Sequence, residues 1–300
     1  MPGLKGISNV SQRRALIVGN WKMAKGIQAT AELARGVRAQ LPHSVSMQED
    51  RVLVGAAPSP MAFHKAFEVS CLRANEGKTA FLLGGQNFFA AKGKDGFVYE
   101  GAYTGETSLP QLAEAHADFT LLGHSETRAI EGYGVTGLGL TDAMLNTRVL
   151  AALDFIQARP ELKDFFIIFC VGETLADRDA GKTNTVLARQ IEIGLAGVPA
   201  ELAPHLAYAY EPVWAIGTGV TATTEDANKG TGFIRTLIEA KFSGDAAEKA
   251  IIQYGGSAKP ENTRELMSQP NVDGLLIGGA ALKADSLVKM ATITEELYTG

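Results

Sequence analysis

The sequence predicts an α/β protein built as a single closed (β/α)8 barrel. Three observations point there: eight short apolar runs, stretches of helical spacing between them, and no linker or low-complexity segment dividing the 300 residues. The runs are Ala15–Asn20, Val52–Ala57, Ala80–Gln86, Phe119–His124, Phe166–Val171, Leu206–Glu211, Ile251–Gly255 and Gly274–Gly278. Several, such as FIIFCV over 166–171, are apolar at consecutive positions instead of alternating. That pattern marks strands covered on both faces, as in a parallel sheet. The intervals between runs are long enough for the crossovers that parallel strands require. Eight such units fit either an open doubly wound sheet or a closed barrel. The count of eight and the chain length favour the barrel, which usually takes about 250 residues.

Helix formers at helical spacing cover Thr30–Gln40, Ser59–Arg73, Asp142–Arg159, Thr185–Gly194, Thr224–Lys241 and Ser286–Leu297. Ser108, followed by Leu109, Pro110 and a QLAEAHA run, reads as a helix start. Thr224 opens another, with Glu225 and Asp226 in its first turn, where the positive end of the helix dipole favours acids. Residues 15–300 form the expected barrel domain. Residues 1–14, MPGLKGISNVSQRR, read as a flexible, loosely attached extension, without the apolar core of a signal peptide.

Composition narrows the function classes. Hydrophobic residues make up 46% and charged residues 20%, so the chain is globular. Lys and Arg number 28 against 33 Asp and Glu, with no basic block, which argues against nucleic-acid partners. The longest clean apolar run, Phe165–Val171, is far short of the ~20 residues that span a bilayer, so no membrane association is expected. Cys71 and Cys170 make no disulfide framework, which suits a reducing, cytoplasmic setting. No HExxH, metal-ligand cluster, GxGxxG or P-loop appears, so neither a metal nor a nucleotide cofactor is expected.

In such a barrel, chemistry gathers where the strands end and the βα loops begin. Polar and glycine residues cluster at these ends: Asn20-Trp-Lys22, Gln86-Asn87, His124-Ser-Glu126, Glu211-Pro212, Gly255-Gly-Ser257 and Gly278-Gly279. Taken singly, each is a surface lysine, a satisfied histidine or a tight turn. Together, at the same end of successive strands, they read as one site. Glycines after the seventh and eighth strands let backbone N–H groups approach a phosphate. Lys22 attracts a phosphorylated anion and polarises a carbonyl. Glu211 and His124 supply a base for a proton on carbon beside that carbonyl and a donor for the resulting enediolate oxygen.

These residues resemble the triosephosphate isomerase family. The resemblance rests on Val18-Gly-Asn-Trp-Lys-Met23, Gly101-Ala-Tyr-Thr-Gly-Glu106, Leu122-Gly-His-Ser-Glu126 and Cys170-Val-Gly-Glu173. It continues through Ala209-Tyr-Glu-Pro-Val-Trp-Ala-Ile-Gly-Thr-Gly219, Tyr254-Gly-Gly-Ser257 and Leu276-Ile-Gly-Gly279. It implies the TIM-barrel fold and interconversion of dihydroxyacetone phosphate and glyceraldehyde 3-phosphate without a cofactor, a step of glycolysis and gluconeogenesis. By the same likeness Glu211 is the general base, His124 the electrophile, Lys22 the charge stabiliser and Asn20 its positioning neighbour. Glu126 pairs with the lysine, and Gly217, Ser257, Gly278 and Gly279 bind phosphate. Pro212–Ala222 is the lid, Tyr254 its latch, and Cys170 a buried small side chain. In this family the histidine is held neutral by a helix N-terminus and lid closure excludes water. The resemblance also implies a homodimer made through the loop Gly101–Glu106.

The chain departs from the family pattern at Asn87–Gly101 and after Glu126, where insertions are expected, and at Val220 and Ala258. Two other readings accompany the leading one. A tetrulose-phosphate isomerase would share every residue named, and a non-catalytic phosphate-binding barrel would have no need of Lys22, His124 and Glu211.

Overall fold

The computed structural model describes residues 13–41, 51–71, 81–128, 139–216 and 222–299. Eight parallel strands close into a barrel: β1 (Ala15–Asn20), β2 (Val52–Ala57), β3 (Leu82–Gly85), β6 (Phe119–Leu122), β7 (Phe166–Val171), β8 (Leu206–Tyr210), β9 (Ile252–Tyr254) and β10 (Gly274–Ile277). Strands β4 (Ala91–Gly93) and β5 (Gly96–Val98) form a separate antiparallel hairpin between β3 and β6. Closure comes from β1, which pairs with β2 on one side and β10 on the other. The open doubly wound alternative is thereby excluded, since an open sheet has two free edges.

The consecutive apolar runs divide between two cores. Leu16, Val18, Leu121, Ile168, Cys170, Ala207, Ala209 and Leu276 pack together inside the barrel. Their strand neighbours, including Ala15, Ile17, Phe169, Tyr208 and Tyr210, pack outward against the helices. Successive side chains on a strand face opposite ways, so this alternation has a consequence at the strand ends. Continuing the inward series Leu16, Val18 reaches Asn20, and continuing Ala207, Ala209 reaches Glu211. The same period that fills the core therefore delivers two polar side chains to the barrel mouth.

Five of the expected strands end before the anticipated residue, because the terminal polar residue or glycine turns out of the ladder; His124, Glu211 and Gly255 each lie just beyond a strand. The helices run Ile27–Gln40, Pro60–Cys71, Asp142–Gln157, Thr183–Gly194, Thr224–Lys241 and Ala284–Thr299, near their expected positions. Ser108 caps Leu109–Glu114 in a reciprocal capping box with Gln111. The last expected cap moves by one residue: Thr223, not Thr224, accepts from Asp226 N, and Asp226 accepts in return from Thr223 N. Short helices at Leu175–Asp179, Gly244–Lys249 and Pro260–Met267, and the hairpin, were not legible as periodic segments. No helix among the described residues is long and apolar enough to cross a membrane.

The expected loose extension also needs correction at its end. Arg13 is buried, and its Nε is 2.6 Å from Asp273 Oδ1, Nη1 is 3.1 Å from Glu248 Oε1, and Nη2 donates to Pro270 O at 2.5 Å. Arg235 reaches the other oxygen of buried Asp273. Breaking such a pair strands a charge in the interior, so Arg13 belongs to the packed structure; residues 1–12 lie outside the described residues. Asp142 pairs with buried Arg128 at 2.5 Å, which in turn donates to Gly123 O and Cys170 O, both at 2.7 Å. This ties the helix Asp142–Gln157 to the carboxyl ends of β6 and β7.

Asp118, at the start of β6, accepts from Leu83 N at 2.8 Å, and its burial pushes the carboxyl up to about 6. A carboxyl with a raised folded pKa binds its proton more tightly folded than unfolded, so its stabilising effect is lost as pH rises from about 4 through 6. Asp118→Asn keeps the acceptor and removes the titration. Its melting temperature relative to the unmodified protein should therefore climb between pH 4 and pH 7, as read by thermal denaturation; a constant difference would contradict the assignment.

Candidate active site

The carboxyl ends of the strands surround a cavity of about 480 Å³ lined by Asn20, Lys22, His124, Ser257, Gly278 and Gly279 together with Ile216, Gly255 and Lys259. Glu211 abuts it, buried, with Oε1 3.0 Å from His124 Nε2. The structure thus gathers residues from five different strand ends. Gly217 and Val220 lie outside the described residues, as does the middle of the expected lid, residues 217–221.

Glu211 is set by the ladder below it. Its N–H donates to Val171 O at 2.8 Å, and Gly255 N donates to Tyr210 O at 2.7 Å. Two close approaches demand glycine. A Cβ on Gly172 would lie 1.7 Å from the Glu211 carbonyl oxygen, and one on Gly255 would lie 2.8 Å from Glu211 Cγ. One carboxylate oxygen, Oε2, accepts from Ser125 N at 2.8 Å. The other, Oε1, has no hydrogen-bond donor among the described residues. One oxygen is therefore anchored while the other is left for chemistry.

His124 follows Gly123, which turns the chain at φ 77°. Its Nδ1 accepts from Glu126 N at 3.2 Å. A nitrogen that accepts carries no proton, so this bond belongs to the neutral ring with its hydrogen on Nε2, beside Glu211. Thr127 N and Thr127 Oγ1 both donate to His124 O at 2.8 Å, closing the turn.

Lys22 adopts a left-handed backbone, φ 49°, uncommon for a residue other than glycine and costing about 1–3 kcal/mol. Two bonds hold it there, and a third fixes one of their partners. Asn20 Oδ1 accepts from Lys22 N at 3.1 Å, Gln86 Nε2 donates to Lys22 O at 2.8 Å, and Gln86 also donates to Ala57 O at 2.9 Å. The side chain meets Glu126 Oε1 at 2.6 Å. The phosphate-binding candidates sit opposite. Gly278 lies beside Lys22 Cε, Gly279 opens a short 3₁₀ turn, and Ser257 Oγ donates to Ala215 O at 3.0 Å.

Four contributors were not assigned from sequence. Gln86 was visible as a polar strand end, and Glu173 lay inside a quoted motif. Arg128 and Lys259 gave no local signal, since a buried cation and a rim lysine are alike in one dimension. Glu173 Oε1 accepts from Trp214 Nε1 at 2.8 Å and from Tyr210 OH at 3.1 Å. Burial pushes its carboxyl up, opposed by those donors. Tyr254 is fully buried, with a hydroxyl that finds no partner among the described residues. Cys170 is buried too, and desolvation pushes its thiol well up, which leaves it protonated and inert.

The triosephosphate isomerase family model matches residues 15–294. The chain belongs to the triosephosphate isomerase family. It is 42% identical over 274 residues to a triosephosphate isomerase of Carboxydothermus hydrogenoformans, covering 91% of this chain and 96% of the relative. A triosephosphate isomerase of Moorella thermoacetica is 41% identical over 275 residues, 91% and 96% of the two chains. Another, of Rhodopirellula baltica, is 40% identical over 273 residues, 91% and 94%. Like the rest of its family, the chain is an isomerase with a barrel fold.

Gly172→Ala tests the packing under Glu211. The added methyl group must push Glu211 aside by about an ångström, and a shift of that size at a reacting group costs about 10²-fold. Isomerase kcat/KM should fall at least that far while circular dichroism stays native; unchanged turnover would refute the constraint.

Proposed function

We propose that the chain interconverts dihydroxyacetone phosphate and D-glyceraldehyde 3-phosphate through an enediolate, with Glu211 as base. The observation that carries this is the pairing of the unengaged Glu211 Oε1 with His124 Nε2, 3.0 Å apart at the edge of a cavity that also holds Lys22. Glu211 removes a proton from the carbon beside the carbonyl and returns it to the neighbouring carbon, so one carboxylate serves both half-reactions. His124, donating from Nε2, stabilises whichever oxygen carries the developing charge. Lys22, oriented by Asn20, Gln86 and Glu126, adds a positive charge beside the substrate. Backbone N–H groups at Gly278 and Gly279, with Ser257, take the phosphate. Gly217 and the segment Pro212–Ala222 complete this reading as phosphate donor and lid, with Tyr254 holding the closed lid.

The proton transfer contributes about 10²–10⁴-fold. The remainder comes from fixed donors in a site closed to water. Closure also protects the intermediate, because an enediolate phosphate left in water expels its phosphate. Glu211→Gln should lower kcat about 10³-fold while binding of a phosphate inhibitor persists. Rates in a coupled assay on triose and tetrulose phosphates decide the substrate: triose turnover is expected to dominate, and the reverse order would move the assignment to a tetrulose phosphate.

The loop Gly101–Glu106 supports a cytoplasmic homodimer. Its residues are all exposed, yet the loop is built, with the Tyr103 ring tilted against Phe89 at 4.0 Å between centroids and Arg148 donating to Phe88 O at 2.5 Å. A shaped, exposed loop suits insertion into a second copy. Light scattering should give twice the chain mass, and Tyr103→Asp should shift it toward the monomer. A monomeric unmodified chain would remove this part of the reading.

A further inference from the structure

Arg178 lies outside the cavity and touches both ends of the segment that follows the catalytic base. Its guanidinium carbon sits 3.7 Å over the centroid of the Trp214 ring, and Nη2 is 3.5 Å from Asp226 Oδ2. Trp214 belongs to the 3₁₀ turn Val213–Ala215, which begins two residues after Glu211. Asp226 stands in the first turn of the helix Thr224–Lys241, on the far side of the same segment.

The indole is held on two sides. Along its edge, Nε1 donates to Glu173 Oε1 at 2.8 Å, and Val213 N donates to Glu173 O at 3.0 Å. Over its face lies Arg178, leaving the residue only 5% exposed. Both Glu173 and Arg178 follow β7, whose last residue accepts the Glu211 N–H. The reference frame for Trp214 is therefore the strand that also fixes the base.

We propose that Arg178 is a positioning residue for Glu211, acting through Trp214. A planar guanidinium lies flat on an indole and is drawn to its negative face, which an ammonium cannot match in area. The Asp226 carboxylate steadies that plane. Pro212 fixes one of the few torsions between Trp214 and Glu211, so rotation of the indole passes to the base with little slack. Loss of Arg178 uncovers one face of the ring, and the Glu211 carboxylate samples orientations away from the substrate carbon. Ser257, Gly278 and Gly279, at other strand ends, still hold the phosphate, so the effect falls chiefly on kcat. The inference rests on Glu211 being the base of the reaction proposed above.

The test compares unmodified protein with Arg178→Ala, Arg178→Lys and Asp226→Asn in steady-state turnover and tryptophan emission. Trp214 is one of two tryptophans, and the other, Trp21, is buried away from Arg178. Arg178→Ala should lower kcat about tenfold, the equivalent of ~1.4 kcal/mol, with KM held within about twofold. Its emission should shift red and become more open to acrylamide quenching. Arg178→Lys should restore only part of the rate, and Asp226→Asn, which keeps the Thr223 cap, should cost less than Arg178→Ala. Native kcat in Arg178→Ala, unmoved emission, or full restoration by lysine would each overturn the proposal. If Arg178→Ala fails to fold, Arg178→Lys decides on the same readouts. Absence of turnover in the unmodified protein would instead sink the isomerase reading, while the emission still tests the hold of Arg178 on Trp214.

Discussion

The parallel register of β6, β7 and β8 governs the site more than any single side chain. Glu211 leaves β8 with its N–H still bonded to Val171 O on β7, and Ser125, just past β6, donates to its carboxylate at 2.8 Å. A base carried on a free loop would sweep an arc. Here it is the next inward position of a strand whose preceding inward residues, Ala207 and Ala209, are locked in the barrel interior. The absence of a side chain at Gly172 is what lets the two backbones come this close. Slippage by one residue would turn Glu211 toward the helices and Tyr210 inward, so core packing and catalysis enforce the same register.

Buried charge is the second organising constraint, and it acts beneath the site. Arg128 has three of its nitrogens engaged, by Gly123 O, Cys170 O and Asp142, and its guanidinium lies 5.6 Å from the Phe169 ring centroid. A buried cation this fully bonded gives directional hold that apolar contacts lack, since losing any one acceptor leaves a donor unpaired. Two of those acceptors are carbonyls at strand ends adjoining His124 and Glu173. His124 and the residue that grips Trp214 thus share one rigid support.

The barrel was legible in the sequence because burial on both faces leaves a plain mark, the consecutive apolar run, and the count of such runs sets the architecture. The strand-end residues were legible for the same reason: a polar residue or glycine after FTLL, LAYAY or GLLI interrupts a strong pattern. What escaped notice was structure without period. The hairpin Ala91–Val98 has three-residue strands, and it is held through Tyr99, whose hydroxyl donates to Asp154 Oδ2 at 2.6 Å. Arg13 looked like part of a polar tail because its partner, Asp273, is 260 residues away. Gln86 and Arg128 act by reaching across strands, and sequence order carries no record of which strands close together at one end.

Several polar atoms around the mouth go unmatched among the described residues: Ser125 Oγ, Glu173 Oε2, Glu211 Oε1 and Tyr254 OH. Each such group costs about 1–3 kcal/mol when buried. A sequence selected for stability alone would replace them, although others, such as Tyr208 OH and Tyr298 OH, lie in the layer between strands and helices. Ser125 Oγ and Glu211 Oε1 lie beside His124, and the left-handed Lys22 lines the same cavity. A base that were fully hydrogen-bonded would have to break a bond before taking a proton. In the proposed reaction, an Oε1 without a donor leaves the carboxylate ready for the proton, and the cost is borne by the closed barrel beneath it.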